Sequence, residues 1–290
     1  MTLEVGIMQG RLLPMRNGIY QGFPGEHWKS EFAFAEIAKL YCIEWVFDAL
    51  TELSNPLQSE QGINEINILV KETGVKVLSL CANYFIPHSL VRKNGLLNNE
   101  AVRKFIWLVE KAKRIGVVYI VLPLLEESSL STDNQFIGIV SAINTILPSL
   151  ESAEIELLLE TDLSADKVLM ILEEVNHPLL GINYDIGNGA SMGYQPTIEL
   201  PLLSRWIKGV HVKDRMANGG TVPLGQGDAD FETCFRIILE SGYSRWFILE
   251  AARQDGMPHI TTASCYREFV ESQINSISKI RVMPDKGKYR

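Results

Sequence analysis

The feature that most limits the possible folds is a regular alternation of short apolar runs and longer amphipathic stretches along the whole chain. The runs are rich in β-branched residues and have the length of strands, whereas the stretches between them carry apolar residues at helical spacing. The strand candidates are residues 4–9, 42–47, 75–83, 117–123, 155–160, 179–185, 207–213 and 245–250. The helix candidates are residues 27–40, 57–73, 99–115, 134–152, 164–175, 196–205, 230–241 and 262–280. Each predicted strand is therefore followed by one predicted helix.

Eight consecutive strand–helix units indicate a parallel sheet covered by helices. The strands read as continuous hydrophobic runs, which is typical of strands that are buried on both faces. A closed barrel of eight such units has about 250 residues, so it would use nearly all of the 290-residue chain. We therefore predict an α/β fold, a (β/α)8 TIM barrel, with one catalytic domain over residues 1–280 and a polar tail over 281–290. An open, doubly wound sheet is the alternative, but it gives no reason for eight units.

Composition favours a globular protein of the cytoplasm. The chain has 46% hydrophobic residues, enough for a large core. Its first residues, MTLEVGIMQGRLLP, lack the basic start and apolar centre of a secretory signal, and no run approaches the roughly 18 apolar residues of a membrane span. The formal net charge is −8, whereas binding to nucleic acid phosphates requires a basic face. We therefore expect neither a membrane nor a nucleic acid among its partners.

Side chains that bind metals stand at the ends of the last four predicted strands. They are Glu160, Asp185, His211 and Glu250. The carboxyl ends of barrel strands meet on one face, where the active sites of this fold are built. Three carboxylates in one place repel each other unless a cation neutralises them. Mixed oxygen and nitrogen ligands without a thiolate suit Mn²⁺, Mg²⁺, Co²⁺ or Zn²⁺, so we predict a divalent metal site.

Six motifs make the chain resemble a known family of barrel enzymes. In order they are GIMQGRL, LLLETD, YDIGN, VHVKD, VPLGQGDADF and FILEA. Over essentially the whole chain they resemble the xylose-isomerase-like TIM barrels, in particular the sugar-phosphate isomerase/epimerase group that includes L-ribulose/L-xylulose 5-phosphate 3-epimerases and D-tagatose/D-psicose 3-epimerases. The resemblance implies that the metal ligands are Glu160, Asp185, His211 and Glu250. It also implies that Glu160 and Glu250 are the acid/base pair.

Such a site suits proton transfer at a carbon next to a carbonyl. A metal bound to the carbonyl and hydroxyl oxygens of an α-hydroxy ketone is a Lewis acid, and it lowers the barrier to removal of the proton between them. If Glu160 and Glu250 remove and return the C3 proton on opposite faces, the ketose is epimerised through a cis-enediolate. The expected activity is therefore metal-dependent 3-epimerisation of a ketose or ketose phosphate.

Other outcomes share the same residues. Reprotonation at another carbon would give an aldose–ketose isomerase, and loss of hydroxide would give a sugar or inosose dehydratase. The residue types do not choose among these reactions, because the choice depends on their placement around a particular sugar. A nucleic-acid repair enzyme of the same superfamily ranks last, because it needs more histidines than the five of this chain and a basic face.

Six further residues are candidates for contact with the substrate: Asn188, Lys213, Arg215, Arg11, Glu44 and Asn83. Arg215 and Arg11 have the guanidinium that suits phosphate binding. Lys213 would either contact the substrate or form an ion pair with Asp214. The glycines of LGQGD, residues 224–228, would let backbone amides approach an anion.

Three of these candidates have a polar side chain without a positive charge. Asn188 stands where the free-ketose epimerases often have His, and its motif, DIGN, resembles the pentulose 5-phosphate branch. It therefore favours a sugar phosphate. Glu44 would orient a substrate hydroxyl or Arg11, or form a salt bridge in the core, and Asn83 ends the third predicted strand.

We also expect a homodimer or homotetramer, because an apolar barrel rim offers a surface for association between copies of the chain.

Overall fold

The computed structural model, which describes residues 4–15, 18 and 20–282, contains a closed barrel of eight parallel strands. The barrel strands are β1 (Val5–Met8), β2 (Cys42–Val46), β3 (Lys76–Cys81), β4 (Tyr119–Leu124), β5 (Glu156–Thr161), β6 (Leu180–Asp185), β7 (Ile207–Val212) and β10 (Phe247–Leu249). Two further short strands, β8 (Asp214–Arg215) and β9 (Thr221–Val222), form a separate hairpin. Around the barrel the order is β1, β10, β7, β6, β5, β4, β3, β2. The predicted TIM barrel is confirmed, and the open sheet is excluded because β1 pairs with both β2 and β10.

Helices surround the barrel. They are α1 (Ser30–Ile37), α2 (Glu60–Thr73), α3 (Asn99–Arg114), α4 (Asp133–Ala153), α5 (Ala165–Val175), α6 (Ile186–Ser191), α7 (Pro196–Leu203), α8 (Phe231–Glu240) and α9 (His259–Val282). Local sequence sets many of their ends. Ser59 caps α2 by accepting the N–H of Gly62, and Gly74, with a φ of 74°, ends the same helix. A capping box of Thr132 and Gln135 starts α4.

Two elements near the barrel mouth differ from the sequence-based expectation. The glycine-containing segment after β6 forms a short helix, α6, because the Asp185 side chain accepts the N–H of Asn188 and so caps it. The segment after β7 forms the small antiparallel hairpin of β8 and β9. In addition, α9 continues to Val282, into the predicted polar tail; residues 283–290 of that tail lie outside the described residues.

Helix α4 is long and apolar enough, by length and composition alone, to cross a membrane. In the fold it packs between α3 and α5 in the outer layer of the barrel. Its residues Ile139, Ile143, Ile146 and Leu150 are fully buried and lie on one face of the helix. The apolar composition of α4 is therefore explained by packing within the barrel.

Candidate metal centre

The four predicted metal ligands lie together at the carboxyl ends of four neighbouring barrel strands. One ligand atom from each of Glu160, Asp185, His211 and Glu250 lies within 4.8 Å of the other three, and all four residues are buried. Glu160 is on β5, Asp185 ends β6, His211 is on β7 and Glu250 directly follows β10. These strands are consecutive around the barrel. Their arrangement has the donor set and the compactness that one divalent cation requires.

Strand register brings the ligands to one level. Asp185 on β6 pairs with His211 on β7, and His211 pairs with Ile248 on β10. The N–H of Glu250 then donates to the carbonyl of Val212 and continues the β7–β10 ladder by one step. Because the three strands are held by backbone hydrogen bonds, the side chains at their ends cannot move apart without breaking the barrel.

The surroundings of His211 indicate that a cation fits this cluster. Its Nε2 lies 2.7 Å from Glu44 Oε1, and both side chains are fully buried. A proton on Nε2 that is donated to Glu44 leaves Nδ1 free as a ligand. Nδ1 lies 2.7 Å from Glu250 Oε2, yet neither atom has a hydrogen-bond partner within the described part of the chain. Nδ1 of His211 and Oε2 of Glu250 are thus two buried, adjacent atoms that could both bind one metal ion.

A lysine neutralises part of the acidic cluster. Lys213 Nζ lies 2.8 Å from Asp185 Oδ2 and 2.6 Å from Glu250 Oε1. Burial alone would lower the pKa of Lys213, but the carboxylates of Asp185 and Glu250 raise it above its ordinary value. The lysine is therefore a buried cation held by two of the predicted metal ligands.

The two glutamates of the cluster differ in their electrostatic surroundings. Burial raises the pKa of Glu160 to about 7, although the neighbouring His211 opposes this shift. Burial would also raise the pKa of Glu250, but Lys213, His211 and Arg11 together outweigh it and hold that pKa below its ordinary value. For His211, burial is outweighed by the carboxylates of Glu44 and Glu160, which raise the pKa of the imidazole well above its ordinary value. Metal binding at Nδ1 would thus displace a proton.

A cavity of about 760 Å³ opens above the cluster. Glu160 and Glu250 line it, whereas Asp185 and His211 lie beneath it and do not. The two lining glutamates come from β5 and β10, which are separated around the barrel by β6 and β7. They therefore reach the cavity from different directions, with the other two ligands between them.

Four of the six residues predicted to contact the substrate line this cavity. Asn83, Asn188, Lys213 and Arg215 are among its lining residues. Asn188 Nδ2 donates to Glu160 Oε1 at 3.2 Å, and its Oδ1 accepts from Arg215 at 3.0 Å. Asn188 therefore orients one of the two glutamates and one of the two lining cations. Asn83 Oδ1 accepts from the Cys81 thiol.

Arg11 turns towards the cluster from the loop after β1. Its side chain is buried, and one of its terminal nitrogens lies 3.9 Å from Glu250 Oε1. The same guanidinium donates to the carbonyl of Tyr20 and to Gln21 Oε1. Tyr20 and Gln21 line the cavity, but Arg11 does not. Its contacts therefore make it a support for the cavity wall.

The structure bears on three expectations. Glu44 is fully buried against His211 and does not line the cavity, so of the roles expected for it the structure shows the salt bridge in the core. Lys213 does not pair with Asp214, because β7 delivers its ammonium to Asp185 and Glu250. The glycine loop at 224–228 is not an open anion site, because the Asp214 carboxylate already accepts N–H groups of that loop. The contact between Glu44 and His211 has no signal in the sequence, because the two residues are far apart along the chain. The contact between Asp214 and the glycine loop has none either, because it depends on a short hairpin.

Replacing Glu44 tests its role behind His211. In Glu44→Ala the imidazole loses the acceptor that keeps its proton on Nε2, so we expect the affinity for Mn²⁺ to fall about 10- to 100-fold. Glu44→Gln is the matched control, because its amide oxygen still accepts from Nε2, and we expect a smaller loss. Isothermal titration of metal-free protein measures both affinities. Equal affinities for the wild type and Glu44→Ala would show that Glu44 does not support the ligand.

Comparisons with known proteins place the chain in a family. The family model for xylose isomerase-like TIM barrels matches residues 32–268. L-ribulose-5-phosphate 3-epimerase UlaE of Escherichia coli is 26% identical over 287 residues, which cover 92% of this chain and 97% of the relative. Among solved structures, L-ribulose 3-epimerase has a TM-score of 0.73 at 13% identity, covering 98% of this chain and 100% of that one. The zinc-bound IOLI protein has a TM-score of 0.72 at 18% identity, covering 97% and 100%. The chain belongs to the xylose isomerase-like TIM barrel family.

Proposed function

We propose that this protein is a divalent-metal-dependent epimerase that inverts C3 of a ketose. The observation that carries the proposal is that, of the four clustered ligands, Glu160 and Glu250 face the cavity while Asp185 and His211 lie beneath it. Asp185 and His211 are thus placed to hold the metal, and the two glutamates are placed to reach both metal and substrate. The epimerases among the relatives and structural neighbours support the same reaction class.

The reaction needs two groups that exchange a proton with one carbon from opposite sides. A bound divalent metal would polarise the ketose carbonyl and make the C3 proton more acidic. One of the two glutamates removes that proton as a general base, and the other returns a proton to the opposite face of the enediolate. The position of β6 and β7 between β5 and β10 supports this assignment, because Glu160 and Glu250 then approach the cavity from different strands. The Asn188 amide, which donates to Glu160, keeps that carboxyl group aimed at the cavity.

The choice of metal rests on the donor set. Three carboxylates and one imidazole suit Mn²⁺, Mg²⁺, Co²⁺ or Zn²⁺. The zinc bound by the IOLI neighbour supports a divalent ion in a barrel of this fold. Glu160, Asp185, His211 and Glu250 would bind it, with Glu44 behind His211.

Isotope exchange tests the proposed reaction. Metal-free protein is loaded with Mn²⁺ and incubated in D₂O with a panel of ketoses and ketose phosphates. We expect deuterium at C3 together with inversion at that carbon, and we expect both to stop when the metal is chelated. Deuterium at C1 would instead establish an aldose–ketose isomerase, and loss of water would establish a dehydratase. No exchange with any member of the panel would contradict the proposal.

A further inference from the structure

The charges around the cavity limit which ketose can enter it. Among the described residues, six carboxylates and two cations line the cavity. The carboxylates are Asp48, Glu126, Glu127, Glu160, Asp162 and Glu250, and the cations are Lys213 and Arg215. The formal charge of this lining is −4, and a divalent metal would reduce it only to −2. A phosphate ester near pH 7 carries close to two negative charges, so it would meet a cavity of its own sign.

Both lining cations are already committed to acceptors of the protein. Arg215 donates from Nε and from one terminal nitrogen to the carbonyl of Gly219, and from the other terminal nitrogen to Asn188 Oδ1. Lys213 contacts the carboxylates of Asp185 and Glu250 and is buried. A phosphate would have to break these contacts to bind either cation.

Two further arginines, Arg11 and Arg253, do not line the cavity and are committed as well. Arg11 donates to the Tyr20 carbonyl and to Gln21 Oε1. Arg253 donates to the carbonyls of Gly10, Leu13 and Tyr20. Both guanidinium groups therefore hold described residues of the segment after β1, and neither is among the residues that line the cavity.

The glycine loop beside the cavity carries its own anion. Asp214 Oδ2 accepts the N–H groups of Gly225 and Gly227 at 2.8 and 2.9 Å, and Oδ1 accepts that of Ala229 at 3.2 Å. Three converging amides are the arrangement that binds phosphate in other loops. Here a buried carboxylate of the same chain fills that position.

Space does not exclude a phosphate, because the cavity has about 760 Å³ and ligand pockets of about 300–1,000 Å³ are ordinary. The outer carboxylates instead match the hydroxyl groups of a sugar. Glu127 is exposed, and Asp162, whose carboxylate accepts from the Ser129 hydroxyl, is half-buried; both line the cavity. Their carboxylates accept hydrogen bonds and donate none when they are ionised, so they complement hydroxyl donors and repel phosphate oxygens.

From these contacts we infer that the substrate is an unphosphorylated, uncharged ketose and that the acidic wall of Glu126, Glu127 and Asp162 selects it against the corresponding phosphate ester. The inference rests on the proposed epimerase function and specifies its substrate class. It also reverses the preference for a sugar phosphate that Asn188 suggests in the sequence, since the Asn188 side chain is used to hold Glu160 and Arg215.

Matched substrate pairs test the inference. The kcat/KM for C3 exchange is measured with Mn²⁺ in D₂O for several ketopentoses and ketohexoses and for their terminal phosphates. We expect the free ketose of the preferred pair to react at least about tenfold better, because like charges in a partly buried site repel strongly. Raising the ionic strength should increase kcat/KM for the phosphate and leave that for the ketose unchanged, because salt screens the repulsion.

The double variant Glu127→Gln, Asp162→Asn should narrow the preference for the free ketose about several-fold, because it removes two negative charges from the wall. Glu110→Gln is the matched control, since it removes a negative charge from the exposed face of α3, and it should leave the preference unchanged. A phosphate that reacts better than its free ketose overturns the inference and leaves the epimerase function standing. Absence of C3 exchange with both classes overturns the proposed function and the inference together.

Discussion

Glu160→Gln and Glu250→Gln are each expected to lower the rate of epimerisation by about 10²- to 10⁴-fold, the usual contribution of a general acid or base. The two variants should fail differently. Each retains one glutamate that can still remove the C3 proton from one of the two epimers and return it to the same face. We therefore expect each variant to exchange C3 deuterium without inversion, and each with the opposite epimer. Mass spectrometry and NMR of both epimers in D₂O measure this pattern.

The amide oxygen of glutamine remains a metal ligand in both variants, so the metal content separates a chemical defect from a lost ion. We expect each purified variant to bind about one Mn²⁺ and to keep the wild-type circular dichroism spectrum. Asn83→Ala, which changes another residue that lines the cavity, serves as a comparison and should retain inversion. If one of the glutamine variants epimerises at the wild-type rate, that glutamate is not part of the acid/base pair.

Lys213→Met is expected to destabilise the metal-free protein by about 3–5 kcal/mol, the usual cost of removing one partner of a buried ion pair. Lys213 Nζ lies between Asp185 and Glu250. Without this ammonium, the negative charges of the two buried carboxylates and of Glu160 repel each other more strongly. A bound Mn²⁺ would supply positive charge at the same place. Addition of Mn²⁺ should therefore recover most of the lost stability, and denaturant unfolding with and without metal measures both effects.

Lys208→Met provides the matched control for that experiment. Lys208 is on β7, the strand that Lys213 directly follows, but its partner Glu156 is also bound by Arg245. The side chains of Lys208 and Glu156 are only partly buried, at 19% and 15% exposure. We expect a loss of about 1 kcal/mol or less, with no special recovery on adding Mn²⁺. Equal losses for the two variants would show that the position of Lys213 beside the metal ligands has no particular importance.

Much of the fold follows from local sequence. Strands buried on both faces appear in the sequence as continuous apolar runs, and helices appear as apolar residues at helical spacing with capping residues at their ends. The predicted eight-unit barrel and the predicted family are both confirmed. The strand ends could also be read, because the closed barrel makes the carboxyl ends converge. The same convergence predicts that Glu160, Asp185, His211 and Glu250 lie together, and in the structure they do.

The contacts around those ligands could not be predicted in the same way. Glu44 on β2 and His211 on β7 are 167 residues apart and meet inside the closed barrel, in which β1 and β10 separate the two strands. Lys213, two residues after His211, would lie on the same face of a regular strand, but it follows the last residue of β7, and its contacts with Asp185 and Glu250 have no signal in the sequence. The role of Asp214 depends on a hairpin with only two residues in each strand. Short irregular segments carry little periodic signal, and these segments shape the mouth of the cavity.

The metal ligands all come from β5, β6, β7 and β10, which form one continuous half of the barrel. The loops after β1, β2, β3 and β4, on the other half, supply Gln21, Asp48, Asn83 and Glu127 to the same cavity. In the proposed reaction, the two proton-transferring glutamates and part of the cavity lining are thus carried by separate sets of strands. New ketose preferences could arise, by natural drift or by laboratory evolution, from loop changes on β1–β4 while the ion-binding half is inherited intact.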